Sequence, residues 1–210
     1  MPLSAPPDPL PRPNARDLPA GRLFHRVHLG RFGGIEFNPC RGGPTRFAPI
    51  TDGEGRCVPS PYAGSTVEAA IFETLFHDIP PTARRKTFPR SALGMRAHSV
   101  FEPCRALRVA ELRKPDLALW HVERTDLIAS SPADYGQTAR WAEALHRTFP
   151  DFDGMIWTSN QCDPDDALIL FGDRLAAGDL KLIATYPSTD ATFEAEVLRA
   201  AKRAGIVLTV

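Results

Sequence analysis

The sequence predicts an α+β fold in a single domain, and three observations carry that prediction. Strand-like segments are grouped apart from a few well-capped helices, without the regular strand–helix–strand alternation of parallel α/β proteins. A chain of 210 residues suits one core better than two. Its composition, 43% hydrophobic and 24% charged, is that of an ordinary globular protein and disfavours wholesale disorder.

Seven of the 21 prolines fall in residues 1–20. Proline removes ladder donors and favours polyproline II, so this stretch reads as a proline-rich arm that buries little, followed by a domain over 21–210. From Arg22, RLFHRVHL alternates, with Leu23, Val27 and Leu29 on one face and Phe24, Arg26 and His28 on the other; this is a strand. Residues 30–64 are rich in Gly and Pro, which forbids long helices, and an irregular segment of that length inside a domain points to ligand contact. Ser65 and Glu68 have the spacing of a capping box, and Val67, Ile71 and Leu75 recur on one face, predicting a helix over 66–78. RALRVAEL (105–112) reads as a strand, whereas 117–128 fits neither template. Ser131, with Pro132 at the first helical position and Asp134 completing the cap, opens a second helix that runs to Arg147 and buries Trp141 and Leu145. GMIWTS, ALILFGD and LKLIATY are short apolar runs suited to buried strands. A last helix over 190–204 is stopped by Gly205, with Lys202 and Arg203 in its final turn, and the terminal VLTV adds an edge strand.

Charge and motif content exclude several functions. Lys plus Arg (25) equals Asp plus Glu (25), so nothing global attracts nucleic acid or anionic lipid, and neither is expected as a direct partner. The first residues lack the charged and apolar regions of a signal peptide, and no apolar run approaches the roughly 20 residues that span a bilayer; a cytoplasmic location is expected. Cys40, Cys57, Cys104 and Cys162 are scattered without a CxxC pair, and the closest histidines, His25 and His28, sit on opposite faces of a strand, so no metal site is expected. Dinucleotide, phosphate-loop and hydrolase-elbow signatures are missing.

Four local patterns remain: Arg26 in FHRV, Arg46 in GPTRF, Tyr62 leading into the helix that carries Glu73 (YAGSTVEAAIFETLFHD), and Ser159 ending DGMIWTS. Together they resemble the RES domain, a family named for its Arg, Glu and Ser, over roughly residues 21–172. FNP at 37–39, RFAP at 46–49, YAGSTVEAAIFET at 62–74 and DGMIWTS at 153–159 follow the order of the family's longer variant. The loop at Arg46 departs from the GGRWN-like loop of shorter members, with Phe47 in place of Trp and the Asn lost; Asn38 lies upstream.

The resemblance implies a fold related to the ADP-ribosyltransferases, with sheets forming an NAD-binding cleft flanked by helices. It implies an enzyme that degrades NAD+, an NAD+ phosphorylase or NAD+ glycohydrolase, with no resident cofactor and inorganic phosphate as co-substrate. It further implies the toxin of a toxin–antitoxin pair, neutralised by a helix-turn-helix-type antitoxin, and it allows a homodimer. An ADP-ribosyltransferase that modifies a macromolecule, or a non-catalytic NAD-binding module, are the alternatives.

The residue chemistry agrees. Release of nicotinamide from ribose passes through an oxocarbenium-like cation that a nearby carboxylate stabilises, and Glu73 is placed for this, beside Thr66 and His77 on the helix and away from the apolar stripe. The diphosphate of NAD+ suits the forked guanidinium groups of Arg26 and Arg46. Tyr62 could stack on nicotinamide or bond a ribose hydroxyl. Ser159, next to Asn160, lacks a sequence sign of an activating base and is assigned to positioning the nicotinamide amide or a phosphate, not to attack. Glu73, Arg46 and Ser159 are thus the expected catalytic set, and Arg26, Arg46, Tyr62 and Ser159 the expected NAD+ contacts.

Overall fold

The computed structural model describes residues 3–80 and 82–210. In chain order its elements are β1 (Ala15–Leu18), β2 (Phe24–Leu29), β3 (Ile50–Thr51), β4 (Cys57–Val58), β5 (Tyr62–Gly64), α1 (Val67–Thr74), β6 (Lys86–Pro89), β7 (Arg96–Pro103), β8 (Leu107–Glu111), α2 (Lys114–Ala118), α3 (Arg124–Leu127), α4 (Tyr135–Thr148), β9 (Gly154–Thr158), β10 (Asp166–Leu170), β11 (Leu180–Pro187), α5 (Ala191–Ala204) and β12 (Ile206–Thr209). Eight strands form one sheet in the order β1-β8-β9-β10-β5-β2-β7-β11. Neighbours are antiparallel except β8 and β9. A parallel pair needs a long crossover, and the segment carrying α2, α3 and α4 supplies it. The fold is α+β, as the grouping of strands predicts.

Alternation along the strands divides the core. Trp157, Ala167, Gly64 and His25 lie opposite one another in register and so share one face of the sheet. On that face Met155 and Trp157 pack with Trp141 and Leu145 of α4 and with Phe47, while Val27 packs with Ile71 of α1 and Phe193 and Val197 of α5. Ile156, Leu168, Val109 and Phe24 fill the opposite face. Two separate apolar clusters therefore cover the first face. Between them β2 and β5 are paired only at His25 and Gly64, and beyond that point the sheet splays open.

Several expectations need correction. Thr66, not Ser65, caps α1, its Oγ1 accepting from Ala69 N at 3.0 Å. Ser65 Oγ instead accepts from Asp166 N at 2.9 Å, and Glu68 pairs with Arg203 at 2.6 Å. The helix ends at Thr74 rather than 78, short of the turn that leads to Pro80. Strand β7 has no counterpart in the sequence reading, although it lies between β2 and β11: burial on both faces masks the alternation in RAHSVFEP. Residues 117–128 hold parts of two short helices. The terminal strand pairs parallel with β6 in a sheet of its own. Cys40 and Cys57, unremarkable in sequence, are joined by a disulfide across 17 residues of the Gly/Pro-rich segment.

The N-terminal arm is the largest departure, because it packs on the core. Leu10 and Leu18 are buried, β1 pairs with β8, and the indoles of Trp120 and Trp141 donate to Pro11 O at 2.8 Å and Ser4 O at 2.9 Å. Proline is suited to such a covering segment, since an extended chain with few N–H groups can lie over apolar surface without leaving donors unsatisfied. Deleting residues 1–18 is expected to lower the melting temperature by at least ~5 °C, roughly 2 kcal/mol for a domain of this size, as read by calorimetry.

A stack of histidines on β2 and β7 adds a pH dependence. His25 Nδ1 and His98 Nε2 are 3.0 Å apart, an arrangement in which one nitrogen donates and the other accepts, so the accepting ring must be neutral and the two cannot both be protonated. Burial, reinforced by the nearby His25 and His28, pushes His98 down to about 4 from 6.5. The unfolded chain then binds more protons between those values, so this stability is complete above pH 6.5 and is lost as pH falls toward 4. The melting temperature is expected to drop across that window, and less steeply in His98→Phe.

Candidate functional site

Where β2 and β5 part, a cavity of about 1000 Å³ opens, at the upper end of the ~300–1,000 Å³ typical of small-molecule sites. The Gly/Pro-rich segment lines much of it, and Arg26, Arg46, Tyr62 and Glu73 all border it.

Glu73 comes from the last turn of α1, and the approach of that helix depends on Gly64, where a Cβ would meet Ala70 N at 2.8 Å. Thr66 Oγ1 donates to Asp165 Oδ2 at 2.6 Å and ties the start of α1 to the entry of β10. Glu73 Oε1 accepts from Ser159 Oγ at 2.5 Å and from Asn160 N at 3.0 Å. Its other oxygen lies 3.8 Å from Arg46 Nη1. Arg46 is 9% exposed, its guanidinium is 5.7 Å from the Tyr135 ring, and its Nε has no hydrogen-bond partner among the described residues. Thr138 Oγ1 donates to Arg46 O, which fixes the loop against α4. The site is therefore a carboxylate oriented by two donors, facing a desolvated cation across a cleft. Such a pair can stabilise developing positive charge on one reacting group and hold an anion beside it.

Arg26 reaches the cleft from β2, but its Nη1 donates to Gly34 O at 3.2 Å and Glu36 O at 2.6 Å. Burial lowers its pKa to about 10, with Glu36 partly opposing.

An Arg and a Glu from distant segments thus meet on one cleft with a Ser buried behind the Glu, and the RES domain model matches residues 22–193. The chain belongs to the RES domain family. Among solved structures, a chain of the M. tuberculosis MbcT–MbcA toxin–antitoxin complex is similar, with a TM-score of 0.57 and 14% identity over 84% of this chain and 89% of that one. At that identity the likeness is one of fold. No curated protein matches the sequence.

Within this RES domain the site residues fall into two groups. Glu73 and Arg46 face the cavity, whereas Ser159 is fully buried behind Glu73. Ser159 Oγ donates to Glu73 and accepts from Cys162 N at 2.9 Å and Gln161 N at 3.2 Å, which uses the whole capacity of a hydroxyl. It orients the carboxylate; a contact with the nicotinamide amide or a phosphate, expected from sequence, has no geometry here. Arg26 anchors the loop at 34–36. Tyr62 likewise turns its hydroxyl to the loop, where it accepts from Phe47 N at 2.8 Å and meets Thr45 Oγ1 at 3.0 Å, and burial pushes it up to about 12.

Three further residues of the RES domain site went unassigned in the sequence. Asn160 supplies the second donor to Glu73 through its backbone, and adjacency to Ser159 was its only signal. Tyr135 lies against Arg46, and Arg124 donates to Thr158 O at 3.3 Å and Ser159 O at 3.4 Å, bracing the turn behind Glu73; Tyr135 sits in a segment read only as helix and Arg124 in one that fits neither template. Burial pushes the Cys162 thiol up to about 12, which disfavours the thiolate that nucleophilic attack needs. Among the described residues, no group of three or more His, Cys, Asp or Glu could hold a metal, and no helix is long and apolar enough to cross a membrane.

Tyr62→Phe leaves the Phe47 N–H unsatisfied while keeping the ring. A loss of about 1–3 kcal/mol in urea unfolding is expected, with the curve's slope unchanged.

Proposed function

We propose that this RES domain degrades NAD+ by cleaving the bond between nicotinamide and ribose, and that it acts as the toxin of a toxin–antitoxin pair. The observation that carries the reading is the carboxylate of Glu73, held by Ser159 and Asn160 and set 3.8 Å from the buried Arg46 on a cavity of about 1000 Å³. Family membership and the likeness to a chain of a toxin–antitoxin complex support it.

In the proposed reaction the glycosidic C–N bond breaks and its electron pair goes to the nicotinamide nitrogen, which neutralises the ring. Positive charge develops on the ribose, and Glu73 stabilises it while holding a ribose hydroxyl. Ser159 and Asn160 keep the carboxylate from swinging away, and Arg46 neutralises negative charge beside it. A phosphate oxygen then bonds to the anomeric carbon, giving ADP-ribose phosphate. Arg46 borders the cavity beside Glu73, and a guanidinium there suits an anionic acceptor such as phosphate. A protein antitoxin, of helix-turn-helix type, would keep the activity in check.

Incubation of the purified protein with NAD+, with and without phosphate, followed by mass spectrometry, tests the reading. Nicotinamide and ADP-ribose phosphate are expected when phosphate is present. ADP-ribose alone in both arms reassigns the acceptor to water, ADP-ribosylated macromolecule makes the chain a transferase, and intact NAD+ overturns the reading. Glu73→Gln is expected to fold normally and turn over NAD+ at least ~100-fold more slowly, since shape is kept and charge is lost.

A further inference from the structure

The cleft has a second charged region away from the Glu73–Arg46 pair. Arg31 and Arg96 both line the cavity. Arg96 opens β7 and pairs with Leu29, the last residue of β2, while Gly30 N donates to Met95 O at 2.7 Å. These bonds clamp the two strand ends together, so the arginines emerge from adjacent points on a rigid rim. The guanidinium of Arg31 lies 4.9 Å from the Phe32 ring centroid.

Nearby acids are occupied elsewhere. Glu36 Oε2 accepts from Gly33 N at 2.8 Å, and Asp78 Oδ1 faces His77 Nε2 at 3.0 Å. Neither Arg31 nor Arg96 makes an ion pair or a side-chain hydrogen bond among the described residues. Burial lowers the pKa of Arg96, as for a cation that has lost water without gaining an acid. Arg26, the sequence's other candidate for phosphate, has Nη1 committed to two loop carbonyls.

We infer that Arg31 and Arg96 form the phosphate-binding pole of the cleft and take the diphosphate of a dinucleotide, an assignment that rests on the NAD+ reading above. Two guanidinium forks match the two charges of a diphosphate. The glycosidic bond is then delivered to Glu73 at the other pole, and Arg26 acts as a positioning residue that holds the loop between the poles.

Titration calorimetry on the full chain tests this, with ADP, NAD+, NADP+ and nicotinamide riboside as probes. Arg96→Gln is expected to weaken ADP and NAD+ binding about tenfold, and Arg31→Gln/Arg96→Gln at least ~100-fold, with nicotinamide riboside unaffected. For turnover, KM should rise while kcat at saturation stays near the parent's. Arg31 is exposed, so Arg31→Gln alone is a variant that keeps the fold if Arg96→Gln does not. Parent-like ADP affinity in the double variant overturns the assignment, as does an equal loss of nicotinamide riboside binding. A loss confined to NADP+ overturns it too, by moving the contact to the adenosine-ribose phosphate. Arginine-dependent ADP binding in a protein that leaves NAD+ intact supports the pole while refuting the reaction, so the two failures are distinguishable.

Discussion

Everything in the cleft depends on holding one carboxylate still. Glu73 is only 18% exposed at its side chain, and a carboxylate so far out of water must find donors. Ser159 and Asn160 supply them from the turn after β9, Arg124 braces that turn, and Thr66 locks α1 to Asp165 at the entry of β10. The helix that bears Glu73 and the strands that orient it are thus joined at both ends of the helix. Ser159 differs from a serine nucleophile in that the lone pairs of its Oγ are taken by Cys162 N and Gln161 N and the hydroxyl is buried behind Glu73.

The electrostatics of the chain are local. A protein with equal numbers of acids and bases has no net charge to attract a partner from afar, yet Arg26, Arg31, Arg46 and Arg96 all reach one cavity. The same cavity holds Glu36, Glu73 and Asp78, and on β10 Asp166 gathers Arg16, Arg22 and Arg113. Net charge is therefore silent about the site, and the sequence positions of the arginines, spread over about 70 residues, hide that they meet.

The parts legible in the sequence were those governed by short-range rules. Helix α5 ends at Gly205 in the left-handed conformation (φ 67°), as a glycine after a basic last turn signals, and Trp141 and Leu145 are buried on α4. Glu73 and Arg46 were legible through motif order, and they do meet. What escaped depends on contacts distant in sequence. Ser65 and Thr66 both have capping chemistry, and the neighbouring Asp166 and Asp165 decide which one caps. The arm's prolines read as a segment that buries little because its partners, Trp120 and Trp141, lie far along the chain, 109 and 137 residues from the carbonyls they bond. Ser159 had the right partner set only in three dimensions: its strand ends at the cavity wall, but its hydroxyl turns inward.

The splayed junction of β2 and β5 has a mechanical consequence. One apolar cluster, with Phe47 and Trp157, stands on one bank of the cleft and another, with Val27 and α1, on the other, and the strands beneath are stitched at a single register position. A molecule gripping both banks acts as a brace across a seam. By mass action such a brace adds about 2.7 kcal/mol when its concentration is about 100 times its Kd, and nothing when it is gone. Rigidity is in this sense lent to the fold by whatever fills the cleft, and the chain is loosest when its ligand is scarce.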